Sequence, residues 1–368
     1  MSAQRTVLIA AGGTGGHLFP AAAFAEEMRA RGWRIVLMTD ARGRTYAANF
    51  PADSIEDVPA ATFSGANPFK AAAALMKISR GIAAARKRLK VLQPAIVAGF
   101  GGYPSLPALW AARGLGAPIL IHEQNAVLGR VNRYFAGSAA VIACGFDRLD
   151  LLPASAASRK VVVGNPVRAP IRAVRDQSFP ITVPGAPLHM LAIGGSQGAR
   201  ILGDVLPAAI ALLPDELRAN LVVEQQVREE QVEAARRAYA QAGVKAEIAP
   251  FFTDMADRYA RAHLVVARAG ASSATEIAVV GRPAVFVPLA IAADDHQTAN
   301  AEALTAISAA DAIAEKDFTP DAVARVLALR LSNPHDLAVR AAAARAAGKP
   351  DAAKALADIA EQAAWRGP

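Results

Sequence analysis

Twice in this chain an apolar run stops on a cluster of glycines and resumes as a helix-like stretch. The first is "RTVLIAAGGTGGHLFP", Arg5 to Pro20, and the second is "MLAIGGSQGARIL", Met190 to Leu202. Gly12 and Gly194 lie 182 residues apart, about half of the 368-residue chain. Glycine loses more chain entropy on folding than any other residue, so such loops belong where backbone must come close to something. The runs "RIVLMTD", "PAIVAGF", "APILIHE" and "AVIACGF" are apolar almost throughout rather than alternating. Strands buried on both faces of a parallel sheet have that character. The expected class is therefore α/β: two Rossmann-like parallel-sheet domains facing across a cleft, with binding at the carboxyl ends of the strands. The length suits two domains, and 53% hydrophobic residues give each a core. Pro20 and Gly32 punctuate the start and stop of the first helix. The proline-rich stretch Ala169 to His189 reads as a linker.

Cys144 is the one cysteine, which rules out an internal disulfide and suits a reducing compartment. The opening "TVLIAA" is too short for a membrane span, and no secretory signal is visible, so a soluble cytosolic protein is expected. Between Val58 and His122 stand eight Lys/Arg and no Asp or Glu, as much net charge as the +8 of the whole chain. Such a block faces something anionic: nucleic acid, a membrane surface or a phosphorylated substrate. No aromatic residue interrupts the basic run from Lys70 to Lys90, which argues against nucleic acid. In Asn67–Leu92 the apolar Phe69, Leu75, Met76, Ile78 and Ile82 mix with Lys70, Lys77, Arg80 and Arg86 to Arg88. A helix of that kind either lies on an anionic membrane or buries its apolar face under a solvated basic one.

Neither glycine loop completes a dinucleotide fingerprint, because Leu18 stands where the third glycine belongs, and neither carries the Gly-Lys-Ser/Thr of a P-loop. Phosphate at a helix N-terminus and a plain tight turn both remain readings of them. In "RAGASSATEI", Arg268 to Ile277, a strand ends, Gly270 turns, and Ala271, Ser272 and Ser273 open a helix with hydroxyls at the cap. Glu276 then falls where a carboxylate reaches a ribose diol, or where a capping box pairs it with Ser273.

Seven stretches in order narrow these readings: "GGTGGH" (Gly12–His17), "GGYPSLP" (Gly101–Pro107), "HEQN" (His122–Asn125), "GNPVR" (Gly164–Arg168), "GGSQGAR" (Gly194–Arg200), "RAGASSATEI" and "DHQTANA" (Asp295–Ala301). Through them the chain resembles the MurG family of bacterial peptidoglycan glycosyltransferases over nearly its whole length. The resemblance implies the glycosyltransferase-B fold. It also implies transfer of N-acetylglucosamine from its uridine diphosphate to an undecaprenyl-diphosphate-linked muramyl-pentapeptide, with inversion to a β-1,4 linkage. It places an acceptor domain over residues 1–167 and a donor domain over 168–344, with a last helix from about residue 345 to 368 returning to the first. Carried over by motif, Thr14, Gly15 and Gly16 line the acceptor side and Asn125 touches the transferred sugar. Arg168, Ser196 and the helix start Ala271, Ser272, Ser273, Ala274, Thr275 and Glu276 hold the nucleotide. Gln297 binds sugar hydroxyls and Phe252 sits by the uracil, although Phe252 taken by itself reads as a core aromatic. The family's His-Gln-Thr/Ser-Gly is replaced by "EQQV", Glu224 to Val227, which puts the local loop path in question.

Inversion requires one in-line displacement, a base for the acceptor hydroxyl and a stabilised leaving diphosphate. The sequence contains no Asp-x-Asp, so the helix N-terminus with Ser196 and Arg168 is expected to meet the diphosphate charge, with no metal and no cofactor. His17 is the expected base because imidazole titrates near neutral pH. Glu123 is the second candidate, with His122 and Glu123 otherwise orienting groups. A capping or loop-stabilising role is the alternative for His17. Rival activities on the same fold are a glycolipid-forming transferase and a sugar-nucleotide epimerase. The expected partners are the donor, the lipid-linked acceptor, an anionic membrane surface at the cytoplasmic face of the plasma membrane, and proteins of cell-wall synthesis and division.

Overall fold

In a computed structural model of the chain, residues 4–12, 15–61, 68–181, 183, 185–195 and 198–364 are described. The chain divides into two compact units, residues 1–168 with 350–368, and residues 169–349.

The N-terminal unit is built on seven strands: β1 (Thr6–Ala10), β2 (Arg34–Thr39), β3 (Ser54–Asp57), β4 (Ile96–Gly99), β5 (Ile119–Glu123), β6 (Val141–Cys144) and β7 (Lys160–Val162). They lie in the order β3-β2-β1-β4-β5-β6-β7, every pair parallel. β1, β4, β5 and β6 are buried along their whole length, because apolar side chains cover both faces. On one face Val7, Ile9 and Leu120 pack with Leu18, Phe24 and Met28 of the first helix, Gly15–Ala30, and with Leu356, Ala357 and Ala360 of the last, Ala352–Ala364. On the other, Leu8, Val97 and Ile121 pack with Ala85 and Leu89 of the helix Pro68–Leu92 and with Leu109 and Phe135.

The C-terminal unit repeats the plan with β8 (Leu188–Ile193), β9 (Leu221–Gln226), β10 (Lys245–Ala249), β11 (Leu264–Ala267), β12 (Ala284–Phe286) and β13 (Ala310–Ala312), ordered β10-β9-β8-β11-β12-β13 and again all parallel. In each sheet the strand order reverses direction once, between β1 and β4 and between β8 and β11. Loops leaving the carboxyl ends of those strands part there and leave room for a ligand.

Two local expectations need correction. The first helix starts at Gly15, and Pro20 lies inside it. Starting early buries Leu18 against the sheet, worth roughly 1.5–3 kcal/mol, which offsets the one hydrogen bond Pro20 cannot donate. The stretch from Ala169 is also more than a linker. Ala169–Val174 is a helix that buries Ile171 and Val174, and Arg175 donates to the Val279 carbonyl at 2.9 Å.

The last helix is tied to the N-terminal unit by polar contacts as well as by its alanine face. Arg31 bonds Asp358 at 2.7 Å and Glu361 at 2.9 Å, and the Trp33 indole N–H donates to Glu361 at 2.9 Å. The bonds from Trp33 and Arg31 hold the Glu361 carboxyl below the usual carboxylate range. A depressed folded-state pKa stabilises above the unfolded value, about 4.3, and that stabilisation disappears as pH falls through the folded value. Glu361→Gln should therefore be less stable than the parent chain at neutral pH, with the gap closing below about pH 4. Urea unfolding followed at several pH values measures it.

Candidate active site

The amino end of the first helix is packed from beside it by the loop that follows β4. Gly12 leaves β1 under Pro104 and Thr39, where a Cβ would come within 2.8 Å of both side chains. Gly101 and Gly102 have φ of 83° and 73°. Those left-handed conformations bring their backbone against the His17 ring, 3.4 and 3.3 Å from where their Cβ atoms would stand. His17 is half-buried, and its Nδ1 lies 2.9 Å from Gln124 Oε1. Gln124 Nε2 is 3.0 Å from His122 Nδ1, and His122 Nε2 is 3.1 Å from the Gly164 carbonyl. No described residue bonds His17 Nε2. Burial pushes the His122 pKa down to about 4, so this ring is neutral.

Strand alternation sorts the "HEQN" residues. Successive side chains point to opposite faces, and Leu120 lies on the first-helix side while Ile121 lies on the other. His122 and Gln124 follow Leu120, and the His122 ring packs 5.2 Å from that of Phe100. Glu123 follows Ile121. Its buried carboxylate accepts from the Asn125 N–H (3.0 Å), Asn125 Nδ2 (3.2 Å), the Gly129 N–H (2.9 Å) and Asn132 Nδ2 (2.8 Å). Such a carboxylate organises the loop after β5.

Gly15 lies under Phe19, whose ring would come within 2.8 Å of a Cβ there, and Gly16 is exposed. The Arg168 guanidinium lies 4.6 Å over the Phe19 ring. Arg168 thus closes the N-terminal unit instead of opening the second. Thr14 and Ser196 lie outside the described residues.

In the C-terminal unit the helix Ala271–Val280 follows β11. Its N-cap is Gly270, with no side-chain cap. The hydroxyls of Ser272 and Ser273 therefore sit inside the first turn, and no Ser273–Glu276 capping box forms. The Ser272 hydroxyl is buried without a partner, beside the partial positive charge of a helix amino end. Ala274 N–H already bonds the Gly270 carbonyl at 3.0 Å. Glu276 falls in the second turn, buried, with the Tyr259 hydroxyl 3.3 Å from its carboxylate. The helix that carries Tyr259, Met255–Arg261, also carries Arg258, whose guanidinium covers the buried Phe252 ring at 3.7 Å. Phe252 and the Glu276 carboxylate are thus anchored by one short helix. Gln297 Oε1 accepts the Leu289 N–H at 3.0 Å, holding the loop that Arg268 also supports through the Val287 and Pro288 carbonyls and Glu315. Asp294 and Asp295 in that loop both have left-handed φ, 51° and 50°, a conformation non-glycine residues avoid.

The "EQQV" departure leaves the strand intact. Glu224, Gln225 and Gln226 pair in register with Glu247, Ile248 and Ala249, and Val227 N–H bonds the Ala249 carbonyl. Gln226 Oε1 accepts from Gly194 N–H at 3.3 Å, so it steadies the second glycine loop. Glu224 is buried and receives Arg258 at 2.9 Å and the Arg261 guanidinium. Sequence reading missed Gln124, Asn132 and Tyr259. Only Gln124 stood within a motif, and nothing in the sequence spoke for its role.

Residues 7–144 match the glycosyltransferase family 28 N-terminal domain, and residues 189–356 its C-terminal domain. The chain is 53% identical over 353 residues to the UDP-N-acetylglucosamine–N-acetylmuramyl-(pentapeptide) pyrophosphoryl-undecaprenol N-acetylglucosamine transferase of Maricaulis maris, covering 96% of each. To the protein of that name from Caulobacter vibrioides it is 48% identical over 361 residues, 98% of this chain and 99% of the other. The crystal structure of Acinetobacter baumannii MurG aligns with a TM-score of 0.79 at 35% identity, over 97% of this chain and 99% of that one.

Glu224→Ala removes the buried carboxylate that Arg258 and Arg261 share, while Arg258 keeps Glu247 at 2.6 Å and Asp254 at 2.8 Å. The C-terminal unit should therefore lose about 1–3 kcal/mol, the range for unmaking buried hydrogen bonds to charged groups. Chemical denaturation of the variant against the parent chain measures the loss.

Proposed function

The chain belongs to glycosyltransferase family 28 and has its glycosyltransferase-B fold; on that premise we propose how its residues carry out the reaction for which its relatives are named. It transfers N-acetylglucosamine from UDP-N-acetylglucosamine to an undecaprenyl-diphosphate-linked muramyl-pentapeptide. The N-terminal unit takes the acceptor and the C-terminal unit the donor.

On the donor side the helix start Ala271–Thr275 and its buried unpartnered Ser272 hydroxyl meet the diphosphate. The leaving group is thereby neutralised by oriented N–H groups, a role that requires no bound metal. Glu276, held by Tyr259, takes the ribose diol; Phe252 lies by the uracil; Gln297 reads the sugar hydroxyls. On the acceptor side Thr14, Gly15, Gly16 and Asn125 line the place of the incoming hydroxyl.

His17 is the general base, and the observation that carries this is its Nε2, unbonded among the described residues, at the point where β1 and β4 diverge. The Glu123 carboxylate already accepts four N–H groups, so we assign it to holding Asn125 and the loop in place. His17→Ala should lower kcat by roughly 10²-fold or more, within the range of general-base contributions, with donor affinity unchanged by calorimetry. Retained turnover in that variant, with Glu123→Ala inactive yet folded, gives the base role to Glu123.

We also place the protein at a membrane surface on the cytoplasmic side, where a lipid-linked acceptor is met. None of the helices among the described residues is long and apolar enough to cross a membrane. Yet the helix Pro68–Leu92 leaves Phe69 84%, Leu75 56% and Met76 62% exposed, with Lys77, Arg80 and Lys87 exposed on the same helix. Its buried face is a separate stripe, Ile78, Ala85 and Leu89. Each basic residue near an anionic surface contributes about 1 kcal/mol, fading with salt. Changing Lys77, Arg80 and Lys87 to Glu should release the protein from phosphatidylglycerol vesicles while sparing turnover of a short-chain soluble acceptor. Unchanged vesicle binding makes this a solvated helix only.

A further inference from the structure

A histidine accepts a proton through Nε2 only while its neutral ring keeps its own proton on Nδ1, and free imidazole does not hold one tautomer. Around His17 the hydrogen bonds permit a single arrangement. The Gly164 carbonyl can only accept, so His122 Nε2 carries a proton. The His122 ring is neutral, which leaves Nδ1 bare to accept from Gln124 Nε2. The orientation of that amide is fixed a second time, because the same Nε2 donates to the His122 carbonyl at 3.1 Å. The other end of the amide, Oε1, can only accept. It therefore requires the proton of His17 to be on Nδ1.

Building on the reading of His17 as the base, we propose that Gln124 is a positioning residue that sets the tautomer of His17, with the Gly164 carbonyl as the fixed end of the relay. In the transfer, the acceptor's 4-hydroxyl gives its proton to His17 Nε2. Its oxygen forms the bond to the anomeric carbon as the bond from that carbon to the diphosphate oxygen breaks. UDP leaves with the electron pair. The imidazolium keeps its Nδ1–H on Gln124, so nothing in the relay has to rearrange during the reaction. His122 is the other titratable group on this side of β5; Glu123 is turned to the opposite face, and Gly101 and Gly102, packed on the ring, bring no charge.

The six histidines of the chain make selective labelling practical. In the full-length protein with ¹⁵N-histidine, one- and two-bond correlations, assigned with His17→Gln and His122→Gln, should show His17 as the Nδ1–H tautomer and His122 as Nε2–H. Gln124→Met should erase the preference at His17. It should also lower kcat at least about tenfold, below the ~10⁴-fold seen when a protease imidazole is held in the wrong tautomer, with KM for UDP-N-acetylglucosamine unchanged. Gln124→Glu should restore the His17 tautomer and carry the acidic limb of the kcat profile to higher pH, since a carboxylate favours the imidazolium. A purely structural glutamine would leave the Nδ1–H preference of His17 in place in Gln124→Met. An Nε2–H signal at His17 in the parent chain overturns the proposal, as does Gln124→Met with unchanged kcat and pH profile. Turnover retained in His17→Ala while the parent shows Nδ1–H refutes the base assignment instead, and leaves the relay without a catalytic meaning.

Discussion

A parallel sheet covered on both faces has only its strand ends for chemistry, and this constraint governs both units. β1, β4, β5 and β6 are buried throughout, as are β11 and β12. No polar side chain on them can reach a substrate from mid-strand without leaving a void or an unsatisfied group. Apart from Thr6 at the start of β1, the polar residues that do occur are His122 and Glu123 at the end of β5, with Gln124 just after it. There, one residue of alternation decides which side of the sheet each serves. His122 and Gln124 join the first helix, while Glu123 joins the Asn132 side. The glycines of the loop after β4, Gly101 and Gly102, serve the same end by closing on one imidazole, while Gly12 after β1 leaves room for Pro104 and Thr39.

That constraint explains what the sequence made legible. The apolar runs, the repeated glycine loops and the parallel sheets could be read because burial on two faces leaves an unbroken hydrophobic signature. Placement of helix ends was poorer for a definite reason. Pro20 suggests a start, but the gain from burying Leu18 sets the start at Gly15. Ser272 and Ser273 suggest caps, but Gly270 takes the cap. The helix Ala169–Val174 hid in a proline-rich stretch because its stability comes from packing Ile171 and Val174, contacts invisible in local composition. Gln124 was hidden more deeply. Its partner His17 is 107 residues away, and only the sheet order brings the two together.

The departure at Glu224–Val227 shows how a site can keep its shape with different residues. Gln226 supplies a side-chain acceptor for the Gly194 N–H, so the second glycine loop is held by an amide of the neighbouring strand. Glu224 draws Arg258 and Arg261 inward, and Arg258 in turn covers Phe252. A buried charge cluster of this kind is weak evidence for stability. Its effect here is geometric: one guanidinium fixes a ring while the adjacent residue, Tyr259, holds Glu276.

The two units manage charge in opposite ways, and the proposed chemistry calls for both. A departing diphosphate needs positive potential that is already in place, and a helix amino end supplies it without moving. A base that becomes an imidazolium needs surroundings that do not oppose a new positive charge. Burial keeps His122 uncharged, Gln124 is a neutral amide, and the carbonyl of Gly164 ends the relay with a dipole of the favourable sign. Were His122 replaced by a permanently positive residue, His17 would face a like charge across one amide, and its capacity to take a proton would fall. The neutrality of the relay is thus as much a part of the base as the imidazole itself.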